Sequence, residues 1–202
     1  MNSTVILSIL NKHVPPTAVP YCTTLWEEHP FELKLRTSRV TKVGDFICRP
    51  GQEARITINA DSHQFLFLIT YVHEVAHLRV HRQFHHKVSP HGDEWKTAFR
   101  NLCTPLLSMG VFPSELADAL QHHLINPKAS SFTDSRLNRV LRKLEPQMAG
   151  AFTLADIPEG SEFELRGRRF TKGKLKRTRI LCREVGSRRN YLIAADALIG
   201  SS

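Results

Sequence analysis

Residues 61–84 read DSHQFLFLITYVHEVAHLRVHRQF, and the fold turns on this stretch. Phe65, Leu66, Phe67, Leu68, Ile69, Tyr71, Val72, Val75, Ala76 and Leu78 are apolar almost all round a helical repeat, the pattern of a central, buried helix. Asp61 or Ser62 is placed to cap its start, with Gln64 three residues after Asp61 as in a capping box. His73, Glu74 and His77 interrupt the apolar run. A buried carboxylate is costly unless it is partnered, so the interruption needs a chemical reason. Helix positions i and i+4 lie on one face, so His73 and His77 can offer two ring nitrogens to one metal ion. Glu74 stands beside them, placed to take a proton from a water that the metal activates, as in HExxH hydrolases.

The chain holds 11 His in 202 residues, so the motif needs support from its surroundings. A zinc hydrolase needs a third protein ligand and an open fourth position. His81, His85, His86, His91, Asp93 and Glu94 are the downstream candidates. His81 continues the face of His73 and His77, but three ligands on one straight helix would span ~12 Å of axis, too far for one ion. His85 and His86 fall in a polar run that ends the helix. His91 lies between Pro90 and Gly92, in a turn from which a ring can swing back over the helix. Asp93 and Glu94 then enrich the first turn of a new helix, where they favour its N-terminus or orient a ligand imidazole.

HEVAHL at 73–78 followed by HGDEW at 91–95 resembles the SprT-like metalloproteases. His73, Glu74 and His77 match that family's HExxH, and His91, Gly92 and Trp95 match its HGxx-aromatic motif. The stretch RTSRVTKVGDFICRPGQEARITINA also looks like the strands that precede the active-site helix there, and the resemblance covers roughly residues 5–125. It implies a zinc peptidase with His73, His77 and His91 as metal ligands and Glu74 as general base. In the Spartan branch it implies action on proteins crosslinked to DNA. The chain lacks any CxxC, so the zinc ribbon that some SprT-like proteins carry after the protease domain is missing. Val80 stands where the longer HExxHxxGxxH pattern has Gly, which argues against a metzincin.

The implied fold class is α+β. A small antiparallel sheet packs on the central HExxH helix with further helices, a zincin-like SprT domain over residues 1–147. Strands are expected at Phe31–Leu35, Asp45–Cys48 and Arg55–Asn59. Helices are expected over 1–12, near Trp26, at 93–107, at 113–124 with Ser114 as cap, and at 133–144.

Residues 151–202 differ in character. They hold eleven Lys and Arg against six Asp and Glu, +5 of the formal +9. Short alternating runs punctuated by Gly160, Gly167, Gly173 and Gly186 point to a small basic module of the SH3-like β-barrel kind. From Arg166 to Arg183 there are nine basic residues and no acidic one. Arg166, Arg168, Arg169, Lys172, Lys174, Lys176, Arg177 and Arg179 are candidates for contacts to the phosphates of DNA or another nucleic acid.

No apolar run reaches the eighteen or so residues of a membrane span, and the first residues show neither a basic n-region nor a small-residue cleavage site. Four scattered cysteines suit free thiols in a reducing compartment, so a cytoplasmic protein with no membrane partner is expected. The function expected is a zinc-dependent endopeptidase with a protein substrate, which the resemblance extends to DNA-associated proteins. Two rival readings use the same residues. One is a non-catalytic, zinc-stabilised nucleic-acid-binding protein in which Asp93 or Glu94 closes the metal site. The other is a metal-dependent hydrolase of a bond other than a peptide.

Overall fold

The computed structural model describes residues 1–37, 43–85, 87–128, 134–144, 152–155, 157–195 and 197–199. The chain divides into two compact units, Met1–Leu141 and Arg142–Ser202, and is mixed α and β.

In the first unit, α1 (Ser3–His13) and α2 (Val19–Glu28) precede three strands, β1 (Glu32–Arg36), β2 (Gly44–Ile47) and β3 (Arg55–Asn59). Then come α3 (Gln64–Phe84), α4 (Asp93–Ser108) and α5 (Ser114–Ile125), and α6 (Ser135–Leu144) runs across the division at Leu141. The Asn2 side chain caps α1 by accepting from the Val5 amide at 3.0 Å. The sheet order is β1-β3-β2, with β2 antiparallel to β3 but β1 parallel to it. The expectation of an antiparallel sheet is therefore corrected to a mixed one. The cause lies in β3, where Ile56, Thr57, Ile58 and Asn59 are all buried. A strand covered on both faces belongs in the centre. β1 thus pairs with β3 rather than with its sequence neighbour β2, which takes the far edge.

The 21 residues of α3 form the helix that 61–84 foretells. Phe67, Leu68, Ile69, Tyr71, Val72, Val75, Ala76 and Leu78 are all at most 1 % exposed, so this helix is the axis of the core. The Tyr71 hydroxyl donates to the Cys22 carbonyl at 2.9 Å, which ties α3 to α2. Two capping expectations are corrected. The helix begins at Gln64, so the cap position falls on His63, whose Nδ1 accepts from the Phe65 amide at 3.3 Å, and not on Asp61 or Ser62. Likewise Pro113 holds the cap position of α5, and Ser114 is already helical.

The second unit contains β4 (Phe152–Thr153), β5 (Glu162–Leu165), β6 (Arg168–Lys176), β7 (Arg179–Glu184), β8 (Asn190–Ala194) and β9 (Leu198–Ile199). β5 to β8 form an antiparallel meander, and β4 pairs with β9 alone. Among the described residues no sheet closes on itself, which corrects the expected barrel. Closure is not needed to bury the apolar face: Leu154 and Ile199, beside the β4–β9 ribbon, pack with Phe163, Phe170, Ile180 and Cys182. The expected strands are present and Gly160, Gly167 and Gly186 lie in turns, whereas Gly173 lies inside β6, where the register shifts between Lys172 and Leu175. In the β5–β6 hairpin, Arg166 and Gly167 both take positive φ (53° and 73°), the twist that a two-residue hairpin loop requires.

Candidate metal centre

α3 sets His73 and His77 on one face, and the Ser89–Gly92 turn delivers His91 opposite them. The Gly92 amide closes that turn on the Ser89 carbonyl at 3.0 Å, and α4 starts at once. Three Nε2 atoms converge: His73 to His77 at 3.3 Å, His77 to His91 at 3.0 Å and His91 to His73 at 3.4 Å. Nitrogens bound at about 2.0–2.1 Å around a tetrahedral ion would stand ~3.3 Å apart. The triangle therefore fits one first-row divalent cation. Among the described residues no other His, Cys, Asp or Glu joins this group.

Burial drives the imidazoles toward the neutral, ligating form. His73 is held well below the usual imidazole range by burial and then by His77 and His91. His77 is pushed down to about 4 by burial and by His91, and burial lowers His91. Trp95, fully buried on the first turn of α4, is the floor of the site. Its ring centroid lies 4.6 Å from His73, 5.4 Å from His77 and 4.8 Å from His91, and its Nε1 donates to the His73 carbonyl at 3.4 Å. Phe99, one turn on, stacks beneath Trp95 at 5.0 Å.

β2 forms the opposite wall. Phe46 lies parallel to the His77 ring at 6.4 Å and tilted against His81 at 5.7 Å. Thr70, Glu74, His77 and His81 follow one another along a single stripe of α3, and β2 runs along it. Glu74 is 6 % exposed, and its carboxylate lies against Gly44.

His81 is not part of the triad, as its helical spacing implies. The Asp93 side chain is 97 % exposed and faces Lys96 at 3.7 Å, while Glu94 shares the first turn of α4. Both lie in the first turn of α4, where acidic groups favour a helix N-terminus, and neither joins the triad. His85 is exposed at the end of α3, and His86 lies outside the described residues. Cys22 and Cys103 offer no nucleophile, since burial pushes both thiols up, Cys22 to about 12. No protein-family model, curated protein or solved structure matches the chain. The inference to chemistry therefore rests on the residues themselves. Phe46 and Gly44 escape the motif reading because nothing in their spacing links them to His77 or Glu74; only the sheet does.

The eight basic candidates of the second unit separate into two kinds. Arg168 is engaged internally: its Nε donates to Glu184 Oε1 at 2.6 Å, and its guanidinium lies over Phe170 and Tyr191 at 5.3 and 4.8 Å. Lys172 donates to the carbonyls of Ala155 and Ile157. Arg166, Arg169, Lys174, Lys176, Arg177 and Arg179 are exposed. Arg169 lies within 3.9 Å of Glu162, whereas Lys174 to Arg179 line the β6–β7 turn. No helix among the described residues is long and apolar enough to cross a membrane.

Proposed function

We propose that the chain is a zinc-dependent endopeptidase of the SprT-like, zincin kind, and that the open three-imidazole triangle beside Glu74 carries this reading. Softness and geometry of the donor set favour zinc: three neutral imidazoles at tetrahedral spacing are a hydrolytic zinc set. A zinc ion held by His73, His77 and His91 would supply a Lewis acid for the scissile carbonyl and lower the pKa of water to about 7.

The chain's own groups do the rest. Glu74 takes the proton of the attacking water and returns it to the leaving amine. Its closeness to the ligands comes from sequence adjacency on a rigid buried helix, so little ordering is required at the moment of reaction. Trp95 and Phe46 restrict how the ligand rings turn. β2 is an edge strand beside the site, and an extended peptide can add to it through main-chain hydrogen bonds with little demand on sequence. The exposed cations around the β6–β7 turn suit a nucleic-acid backbone, which would bring the peptidase to DNA-associated proteins in the cytoplasm or on the chromosome.

Glu74→Gln tests the reading. The variant keeps zinc and loses cleavage of an unstructured protein; cleavage at the wild-type rate by this variant contradicts the mechanism. Unimpaired wild-type activity after chelation would contradict the role of the metal.

A further inference from the structure

Gly44 opens β2, and its backbone is extended strand that any residue adopts. The reason for glycine there lies across the gap to α3. A Cβ on Gly44 would stand 2.6 Å from Glu74 Oε1 and 2.4 Å from Thr70 Cγ2. Real carbon contacts do not reach such separations, so one side or the other must give way. Both side chains are buried, Glu74 at 6 % and Thr70 at 8 % exposure, and Thr70 is β-branched on a helix, with few rotamers to retreat into. The Glu74 carboxylate, at the end of a longer side chain, is the group that moves.

We propose that Gly44 is a positioning residue for the reaction: the missing side chain is the space in which the carboxylate of Glu74, the sequence neighbour of His73, is held at its working place. This rests on the reading of Glu74 as general base. A side chain at 44 displaces the carboxylate, while His73, His77 and His91 keep the Trp95 contacts that hold their rings. Gly44 thus supports turnover through Glu74, with no side chain of its own at the site.

Gly44→Ala is assayed on denatured casein beside the wild type and Glu74→Gln, with zinc content, melting temperature and the visible spectrum of the cobalt-substituted protein recorded for each. Displacement of a catalytic group by ~1 Å costs on the order of 10²-fold in rate. The expected result is a kcat lower by about that factor, KM within about twofold of wild type, and an unchanged cobalt spectrum. Thr70→Ser combined with Gly44→Ala removes the clash with Cγ2 and leaves the one with Glu74, so it should keep the fold and still show the kcat loss. Wild-type kcat in Gly44→Ala overturns the proposal. So does loss of fold or of metal in both variants, which would make Gly44 a packing residue only. If Glu74→Gln itself retains wild-type activity, the reading of the base has failed; if Glu74→Gln is inactive while Gly44→Ala is normal, only the role of Gly44 has failed.

Discussion

The candidate metal centre and the basic module treat polar residues in opposite ways. In the first unit, a buried carboxylate and three half-buried imidazoles stand among apolar side chains, where burial is unfavourable unless such groups are partnered. Their nitrogens meet within 3.4 Å. In the second, eight cations spread over an open sheet, and two of them are engaged in holding the module itself. Convergence of three ring nitrogens is what a shared metal ion requires. Charge spread over a solvated surface has an ordinary explanation as well, so it must be tested site by site.

Substitutions should reveal that contrast. Largest is Glu74→Gln, with kcat expected to fall by about 10²–10⁴-fold while zinc remains; wild-type turnover would remove the distinction between a catalytic and a structural site. His91→Ala removes one apex of the triangle. Zinc affinity should fall by at least ~10²-fold in a competition titration, and full occupancy would move the third ligand elsewhere. Trp95→Ala takes the floor from under all three rings. A fully buried aromatic of this size costs about 3–5 kcal/mol, read as a fall in melting temperature with weaker metal retention.

The basic module should respond differently. Replacing Lys174, Lys176, Arg177 and Arg179 together by Ala should weaken binding to a duplex oligonucleotide evenly across sequences and flatten its salt dependence by a slope of about 3–4. Salt-insensitive binding, or none by the intact chain, would remove the nucleic-acid proposal without touching the metal centre. Arg168→Ala should instead loosen the module slightly, read as a small fall in melting temperature, through lost packing on Phe170 and Tyr191.

The smallest effect separates the two regions by pH. His77 resists protonation in the folded zinc-free protein until about pH 4, whereas in the unfolded chain it takes a proton near 6.5. Between those values the unfolded state binds more protons, so stability rises with pH. The contribution is complete above about 6.5 and is lost as pH falls toward about 4. Melting temperature of the zinc-free protein should decline through that window, less steeply in His77→Gln; equal slopes would contradict the burial of His77.

Much of the first unit was legible in its sequence because local rules agree there. The apolar run of 65–78 allows only a buried helix, i and i+4 spacing pairs His73 with His77, and Pro90 and Gly92 mark the turn that carries His91. What was not legible depends on distant partners. The parallel β1–β3 pairing follows from burial of both faces of β3, which alternation in RITIN does not disclose. The open meander replaces a barrel because β4 and β9, two residues each, cover its core, and strands so short leave almost no periodic signal. Gly44 and Phe46 acquire their roles only once β2 lies along the Thr70–His81 stripe.

The central claim is an open three-imidazole zinc site served by Glu74, and X-ray absorption at the zinc edge of the purified protein tests it most directly. The account expects one zinc per chain, with three imidazole nitrogens at about 2.0–2.1 Å and one further light-atom ligand from solvent, unchanged in Glu74→Gln and lost in His91→Ala. A site closed by a fourth protein ligand, or a chain that binds no zinc, would contradict it.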